Sequence, residues 1–464
     1  MNKIIFISAG MLKNKKKHQF TSLYLNYGFL GLASIIAENH NVSFYHGDMY
    51  SPSALFTLLQ KNKFINNDYP IFLSIPSFYA VPWAEEFSQF IKEKYSKKII
   101  ICGGRWVIKD KTFLKYNLKN IDFFVNGQAE NLIINLLNKK HLTSQNKYIT
   151  SNNFNQVISK LNYKILDNFL QYTPAIELSR GCGMGCIFCE DKDVKLTKTK
   201  EPKILLAEII ELKTLYKDNN LKIYFQSSIF NPTIKWTEEF YCLYSQNDLK
   251  IQWRCETRVD TLSERKIELL AKSGLKVIDL GLETASIQQL RLMKKTNSPE
   301  NYLALASKLL QTCYINNIWT KVNILLYPGE TKDTINETLR WLRKHQKYIK
   351  GISAYSLIIF GTDEYSINFL KEIEQLGAKS INNRIDSSGI TKLNLSNDIS
   401  YEKSIDISMK ISKEFMSMKD YFDLKSFGYF PRSFKYYDFI NSIHTLNEHI
   451  LPFHTKKECI KINE

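Results

Sequence analysis

The sequence predicts an α/β protein: an open, doubly wound, Rossmann-like domain, then a partial (β/α)6 barrel, then a small C-terminal segment. Three observations carry this. Short apolar runs alternate with helical patterns in two successive series. A polar, aperiodic stretch separates the series. Beyond about residue 375 the alternation gives way to a segment dense in Phe and Tyr. The length of 464 residues fits this division, since a chain of this size carries about three domains.

The first series spans 1–138. Its runs are "IIFISA" (4–9), "VSFYH" (42–46), "IFLSI" (71–75), "KIIIC" (98–102) and "IDFFV" (121–125). They are continuous rather than alternating, as parallel strands buried on both faces are. Helical stretches such as "GFLGLASIIAEN" and "PWAEEFSQFIKEKY" lie between them, which predicts a doubly wound sheet. Residues 139–172, including "KKHLTSQNKYITSNNFNQ", read as a linker.

The second series spans 173–374. Its runs are "PAIELS" (174–179), "KIYFQ" (222–226), "IQWRC" (251–255), "KVIDLG" (276–281), "KVNILL" (321–326) and "ISAYSLII" (352–359). Six units in one direction suit an incomplete barrel, whose chemistry belongs at the C-terminal strand ends. Residues 375–464 form the remaining segment. Within it, "FDLKSFGYFPRSFKYYDFINSIH" (422–444) is expected to pack on the barrel mouth and help to cover the active site. It would offer Phe422, Phe427, Tyr429, Phe430, Tyr436, Tyr437 and Phe439 as apolar surface, with Lys425, Arg432 and Lys435 to steer a substrate.

Composition narrows the class. Eight cysteines in 464 residues are too few for a disulfide scaffold. Met1 leads straight into "KIIFISA", which does not read as a secretory leader. No stretch reaches the roughly 18 apolar residues of a membrane span. A reducing, cytoplasmic setting is therefore expected. The net charge of +17 would suit nucleic acid, an acidic peptide or a phosphorylated substrate. The lysines are dispersed, however, and read as solvated faces; the densest run is "KNKKKH" at 13–18.

The chemistry-bearing stretch is "SRGCGMGCIFCED" (179–191), which follows the first strand of the second series. Cys182, Cys186 and Cys189 stand in a C-x3-C-x2-C pattern with Gly181, Gly183 and Gly185 between and before them. A structural zinc site needs four ligands, and so does an ordinary electron-transfer cluster. Three thiolates on a cubane leave one iron open to an outside ligand. A zinc site completed by Cys255 or by one of His444, His449 and His454 stays as an alternative, as do three incidental buried thiols. Cys102, Cys242, Cys313 and Cys459 are expected to be dispensable, Cys242 and Cys313 as core thiols on helices.

This motif and its position resemble the radical S-adenosylmethionine (SAM) enzymes. "WRCETRVD" (253–260), "AKSGLKVIDLGLETAS" (271–286) and "VNILLYPGET" (322–331) are similar to that family's third, fourth and fifth strand motifs. The resemblance implies a [4Fe–4S] cluster on Cys182, Cys186 and Cys189, with SAM chelating the fourth iron. It implies SAM contacts from Phe188, Arg258 and Glu283. The family's "GGE" after the second strand is replaced by "FQSSIFNP", where Ser227 and Ser228 would offer hydroxyls. Gly329 and Glu330 read as a turn and helix start.

The first domain narrows the subfamily. "NYGFLGLASIIAENHNVSFYHGD", "LSIPSF", "IICGGRW" and "IDFFVNGQAE" resemble the cobalamin-binding domain of cobalamin-dependent radical SAM enzymes. Ser74, Ser77, Gly103, Gly104 and Gly127 follow strands, where such a sheet holds its ligand. The Asp-x-His-x-x-Gly motif that supplies a histidine to cobalt is missing; His46 is followed by Gly47 and Asp48 instead. A protein imidazole on cobalt is therefore not expected.

The resemblance implies methylation of an unactivated centre in a peptide or secondary metabolite, through a 5′-deoxyadenosyl radical. It also implies an electron donor such as flavodoxin or ferredoxin, and neither a membrane nor a nucleic acid as partner. Two alternatives remain. One is a radical SAM cyclase, rearrangement or oxidation enzyme that transfers no methyl group. The other, of a different class, is a basic zinc-stabilised nucleic-acid-binding protein.

Overall fold

The computed structural model describes residues 3–11, 23–105, 107–140, 142–143, 146–151, 160–381, 389–443 and 451–455. The lysine run at 13–18, His444, His449 and Cys459 lie outside them. The chain divides into two compact units.

The first unit holds six parallel strands in the order β2-β1-β3-β4-β5-β6. They are β1 (Ile4–Ser8), β2 (Val42–His46), β3 (Ile71–Ser74), β4 (Ile100–Gly103), β5 (Phe123–Asn126) and β6 (Tyr148–Thr150). One face packs Ile5, Ile7, Leu73, Trp83 and Phe87 into a common core. The other brings Phe6 against Phe29 and Phe72, and Phe29 against Phe44. Burial on both faces is why these runs carry no polar alternation.

The second unit holds six parallel strands in strict sequence order, β12-β11-β10-β9-β8-β7. They are β7 (Ala175–Glu177), β8 (Lys222–Gln226), β9 (Gln252–Arg258), β10 (Leu275–Glu283), β11 (Trp319–Leu326) and β12 (Gly351–Ser356). Along β11 the residues alternate between fully buried and partly exposed. Val322, Ile324 and Leu326 are buried in the core. Lys321, Asn323 and Leu325 keep partial exposure and face the lumen of the open barrel.

Three boundaries differ from the sequence reading. The stretch 139–172 is not a free linker. Its Tyr148–Thr150 is the sixth strand of the first sheet, and Asp167 is tied in through its amide to the Phe44 carbonyl and through its side chain to Tyr50. Nor does the barrel run continue to 374. Ile358–Glu372 and 389–392 belong to the first unit. There Ile359–Phe360 pairs with Ile390–Thr391, Phe360 stacks on Phe78, and a Cβ on Gly389 would press into the Phe78 ring.

The third correction concerns the aromatic segment. It does not cover the barrel mouth; it closes the opposite, N-terminal end of the strands. Lys222, at the start of β8, donates to Ser426 and lies over the Phe427 ring. Trp319, at the start of β11, meets Phe427 edge-on. Lys350, just before β12, pairs with Asp420 and Asp423. Phe422, Phe430, Tyr436 and Phe439 pack on one another. Arg432 pairs with Asp218 and covers Tyr216 rather than steering a substrate. The aromatics are hydrophobic cement, and their residue types do not say which end of a barrel they seal.

Candidate active site

The cysteine loop begins where β7 ends. Glu177 accepts two bonds from Arg180, at 2.7 and 2.9 Å. The loop then doubles back on itself. The amides of Cys182, Gly183 and Gly185 donate to the carbonyls of Val194, Asp191 and Lys192. Gly181, Gly183 and Gly185 all have positive φ. At Gly181 (φ 76°) an added Cβ would lie 2.4 Å from the Lys195 carbonyl oxygen, so this approach admits only glycine.

Cys186 is buried, while Cys182 and Cys189 are half-buried. Burial pushes the Cys182 and Cys189 thiols up, and each lies within the field of Cys186. Among the described residues, no three His, Cys, Asp or Glu side chains converge on one point as a structural zinc requires. The ligands of a cubane bind three different irons, so the loop fits that group without converging. His454 is held in a bridge to Ser417 in the C-terminal segment, and Cys255 is buried inside β9. Cys313 is buried as expected, but Cys242 is exposed on its helix.

The ends of β9 and β10 meet this loop. Arg258 points one guanidinium nitrogen at the Cys186 sulfur, at 3.1 Å, and another at the Lys295 carbonyl, at 2.7 Å. Asp260 holds the same guanidinium at 3.0 and 2.9 Å. Glu283 sits on an irregularity in the β10–β11 register, with φ at 69°. A non-glycine residue there is strained backbone. Its carboxylate pairs with Lys295 at 3.1 Å. Burial alone would push the Lys295 amine down, but Glu283 outweighs it and the pKa is raised. Lys295 also lies 5.8 Å from the Phe188 ring centroid. The Ile187 amide bonds the Met293 carbonyl, tying the loop to this turn.

The structure thus brings Phe188, Arg258 and Glu283 together beside Cys186. Lys295 completes the group, and the sequence reading missed it. In "RLMKK" nothing separates a buried lysine from its exposed neighbour Lys294. Ser228 donates to Asp191 at 2.9 Å, joining the end of β8 to the cysteine loop. Ser227 presents a buried hydroxyl with no hydrogen-bond partner among the described residues. An orphaned hydroxyl at a strand end fits a polar ligand.

In the first unit, the strand order reverses between β1 and β3. This is where a doubly wound sheet opens its ligand crevice. Asn26 donates to Ser8 at 3.0 Å and Ser74 at 3.1 Å across that point. Ser77 caps the turn after β3. Gly103 ends β4, Gly104 follows it, and Gly127 follows β5. A Cβ on Gly104 would lie 2.3 Å from the Ile75 carbonyl oxygen, and one on Gly127 would lie 2.6 Å from that of Ser151. These two glycines therefore answer a packing need. Gly103 does not: its Cβ would meet nothing closer than 3.9 Å. His46 is buried, which pushes its pKa down. Its Nδ1 accepts the Asp48 amide, and its ring bonds the Tyr24 backbone, so its nitrogens are already engaged.

Residues 176–342 match the Radical SAM superfamily. The chain carries a radical SAM domain, which implies a [4Fe–4S] cluster and SAM. The fold of the chain is that of cobalamin-dependent radical SAM enzymes. TsrM, a radical SAM methyltransferase from Kitasatospora setae solved with tryptophan and a SAM analogue, superposes with a TM-score of 0.64 at 15% identity, covering 82% of this chain and 79% of that one. A second TsrM structure carries cobalamin and a [4Fe–4S] cluster; it scores 0.62 at 14% identity, over 82% of this chain and 77% of that one. The cobalamin-dependent enzyme OxsB gives a TM-score of 0.64 at 16% identity, over 90% of this chain and 67% of that one. An uncharacterized methyltransferase of Pyrococcus horikoshii, PH0819, is 25% identical over 167 residues, 36% of either chain. No described helix is long and apolar enough to cross a membrane.

Behind the site, Tyr327-Pro328-Gly329 turns the chain out of β11, with Gly329 at φ 83°. Thr331 caps the helix Lys332–Lys344. Glu330 is buried beneath this turn and accepts the Thr334 hydroxyl. Burial, partly offset by that bond, raises its pKa from 4.5 to about 7. Its contribution to stability is full below pH 4.5 and is lost as pH rises through 7. A shift of this size is worth about 3 kcal/mol. Glu330→Gln is expected to melt above the parent at pH 8.5, with the advantage shrinking as pH falls to 6. Equal melting temperatures at both pH values would contradict the assignment.

Proposed function

We propose that the protein is a cobalamin-dependent radical SAM methyltransferase acting on an unactivated centre of a peptide or small secondary metabolite. The observation that carries this is the three-cysteine loop on the first strand of an open six-stranded parallel barrel, in a chain that also holds a doubly wound sheet. Cys182, Cys186 and Cys189 hold the cluster. Arg258 and Lys295 receive the SAM carboxylate, Glu283 and Ser227 its remaining polar groups, and Phe188 its apolar side. Ser228 positions the loop through Asp191. Ser74, Ser77, Gly103, Gly104 and Gly127 border the corrin. With both ring nitrogens engaged, His46 would not serve as the ligand to cobalt.

When bound, the cluster and SAM supply a 5′-deoxyadenosyl radical, and the corrin supplies a methyl group. The chain's own residues orient these groups and keep water away. An acidic low-potential carrier such as flavodoxin or ferredoxin, in the cytoplasm, would deliver electrons to a chain of charge +17.

The test supplies the reconstituted enzyme with substrate, reductant, cobalamin and SAM carrying a deuterated methyl group. The expected product is heavier by one labelled methyl, with 5′-deoxyadenosine and S-adenosylhomocysteine both formed. In the same preparation, paramagnetic resonance of cob(II)alamin should lack axial nitrogen splitting. 5′-Deoxyadenosine without label in the product would replace methylation by cyclisation, rearrangement or oxidation.

A further inference from the structure

At the N-terminal ends of β3 and β4 lies a cavity of about 340 Å³ that the reading above does not use. Its lining comes from the loop before β3, the loop before β4, and Lys139 beyond the helix Ile133–Leu137. Ser74 and Gly103 stand at the other end of the same two strands. The volume falls within the range of ligand pockets, about 300–1,000 Å³. Four lysines line the cavity, Lys94, Lys97, Lys98 and Lys139, against one carboxylate, Asp68.

These lysines are not compensated from within. Nearby Lys92 has its ion pair, with Asp122 at 2.7 Å. Among the described residues, none of the four has one. Lys98 is nine-tenths buried, and its amine is held by neutral acceptors, the Asn67 carbonyl at 2.7 Å and Oδ1 at 3.0 Å. An ammonium has three N–H donors, so one is left for the cavity that Lys98 lines. Burial pushes the Lys98 pKa down; Asp68 opposes this and Lys139 adds to it, and the pKa falls from 10.5 to about 8. The C-terminal turn of the helix Val81–Lys94 favours a cation at its end, which accounts for Lys94. It does not account for Lys139 on another element, or for a buried amine at Lys98.

We infer that this cavity binds a small phosphorylated compound, with a phosphate group on Lys98 and with Lys97 and Lys139 beside it. A cleft lined by one sign of charge concentrates counter-ions, and lysine takes phosphate oxygens through charge-assisted bonds. Four cations around so small a space match an anion that carries several charges in little volume. A diphosphate does this; a carboxylate of the same size does not. The site shares no residue with those assigned to the corrin or to SAM, and it stands independently of that assignment.

Inorganic diphosphate, adenosine diphosphate and succinate are the probes, each titrated calorimetrically into the full-length protein at physiological ionic strength. Wild type is expected to bind diphosphate at one site per chain, at least tenfold more tightly than succinate. Lys97→Gln combined with Lys139→Gln removes two exposed amines and leaves the Lys98 bonds to Asn67 in place. This pair is expected to weaken diphosphate binding at least tenfold. A control pair, Lys203→Gln with Lys235→Gln, removes the same charge from exposed helix positions in the second unit and should leave binding within twofold. No binding of diphosphate by wild type, equal binding of succinate, or an equal loss in both pairs would overturn the site. Adenosine diphosphate binding as tightly as diphosphate supports a phosphate ester as the ligand; diphosphate binding alone supports the free anion.

Discussion

Replacing Cys182, Cys186 and Cys189 together by alanine is expected to give a folded, colourless protein that forms no 5′-deoxyadenosine. The loop owes its shape to backbone bonds between 182–185 and 191–194 and to the glycine at 181, not to the thiols. Removing the sulfurs leaves Arg258 bonded to Asp260 and to the Lys295 carbonyl, so no buried cation is stranded. Circular dichroism and the melting temperature should stay near the parent's, while iron, sulfide and the brown absorbance disappear. Cleavage of SAM at the parental rate without the chromophore would refute the ligand assignment. Loss of the chromophore on replacing Cys102 or Cys313 instead would move it elsewhere.

The second large effect lies at the other end of the barrel. Arg254 is 1% exposed and holds Asp279 with one edge and the Leu424 carbonyl with the other. Arg254→Met would leave Asp279 buried with Lys321 as its one remaining cation. Removing one partner of a buried pair costs about 3–5 kcal/mol. In a unit of this size that lowers the melting temperature by about 10 °C. Deleting everything after Phe415 should be worse, because it uncovers Trp319, Lys222 and the whole ion layer at once; an insoluble product is expected. A soluble truncated protein that cleaves SAM faster than the parent would show that the segment guards the mouth after all.

Much of this architecture was legible in the sequence because parallel strands buried on both faces leave unbroken apolar runs. The strands Val42–His46 and Lys222–Gln226 coincide with the runs that predicted them. The cysteine loop was legible because three thiols among glycines have few other uses. What stayed hidden depends on long-range partners. Tyr148–Thr150 is a three-residue edge strand in polar surroundings, and only β5 beside it makes it a strand. Lys295 is distinguished by Glu283, twelve positions earlier and on another element. The return of 358–372 to the first unit is set by packing on Phe78, which no local pattern announces. For the aromatic segment the type of contact was readable, but the end of the barrel it meets was not.

The Arg254–Leu424 bond joins residues 170 positions apart, and this bears on how the chain is made. A ribosome adding about 5–20 residues per second needs roughly 10–30 s to travel from one partner to the other. Once Lys321 has been added, partway through that interval, Arg254, Asp279 and Lys321 are all present, but the carbonyl and rings that seal them in do not yet exist. The nascent barrel therefore waits with a wet, charged base, and its last step of folding is deferred until synthesis is nearly over. Such a half-built sheet, with open edges at β7 and β12, is the species most exposed to aggregation. Slower growth temperatures or chaperone supply during expression should thus improve the yield of soluble protein more than any change made at the cofactor sites.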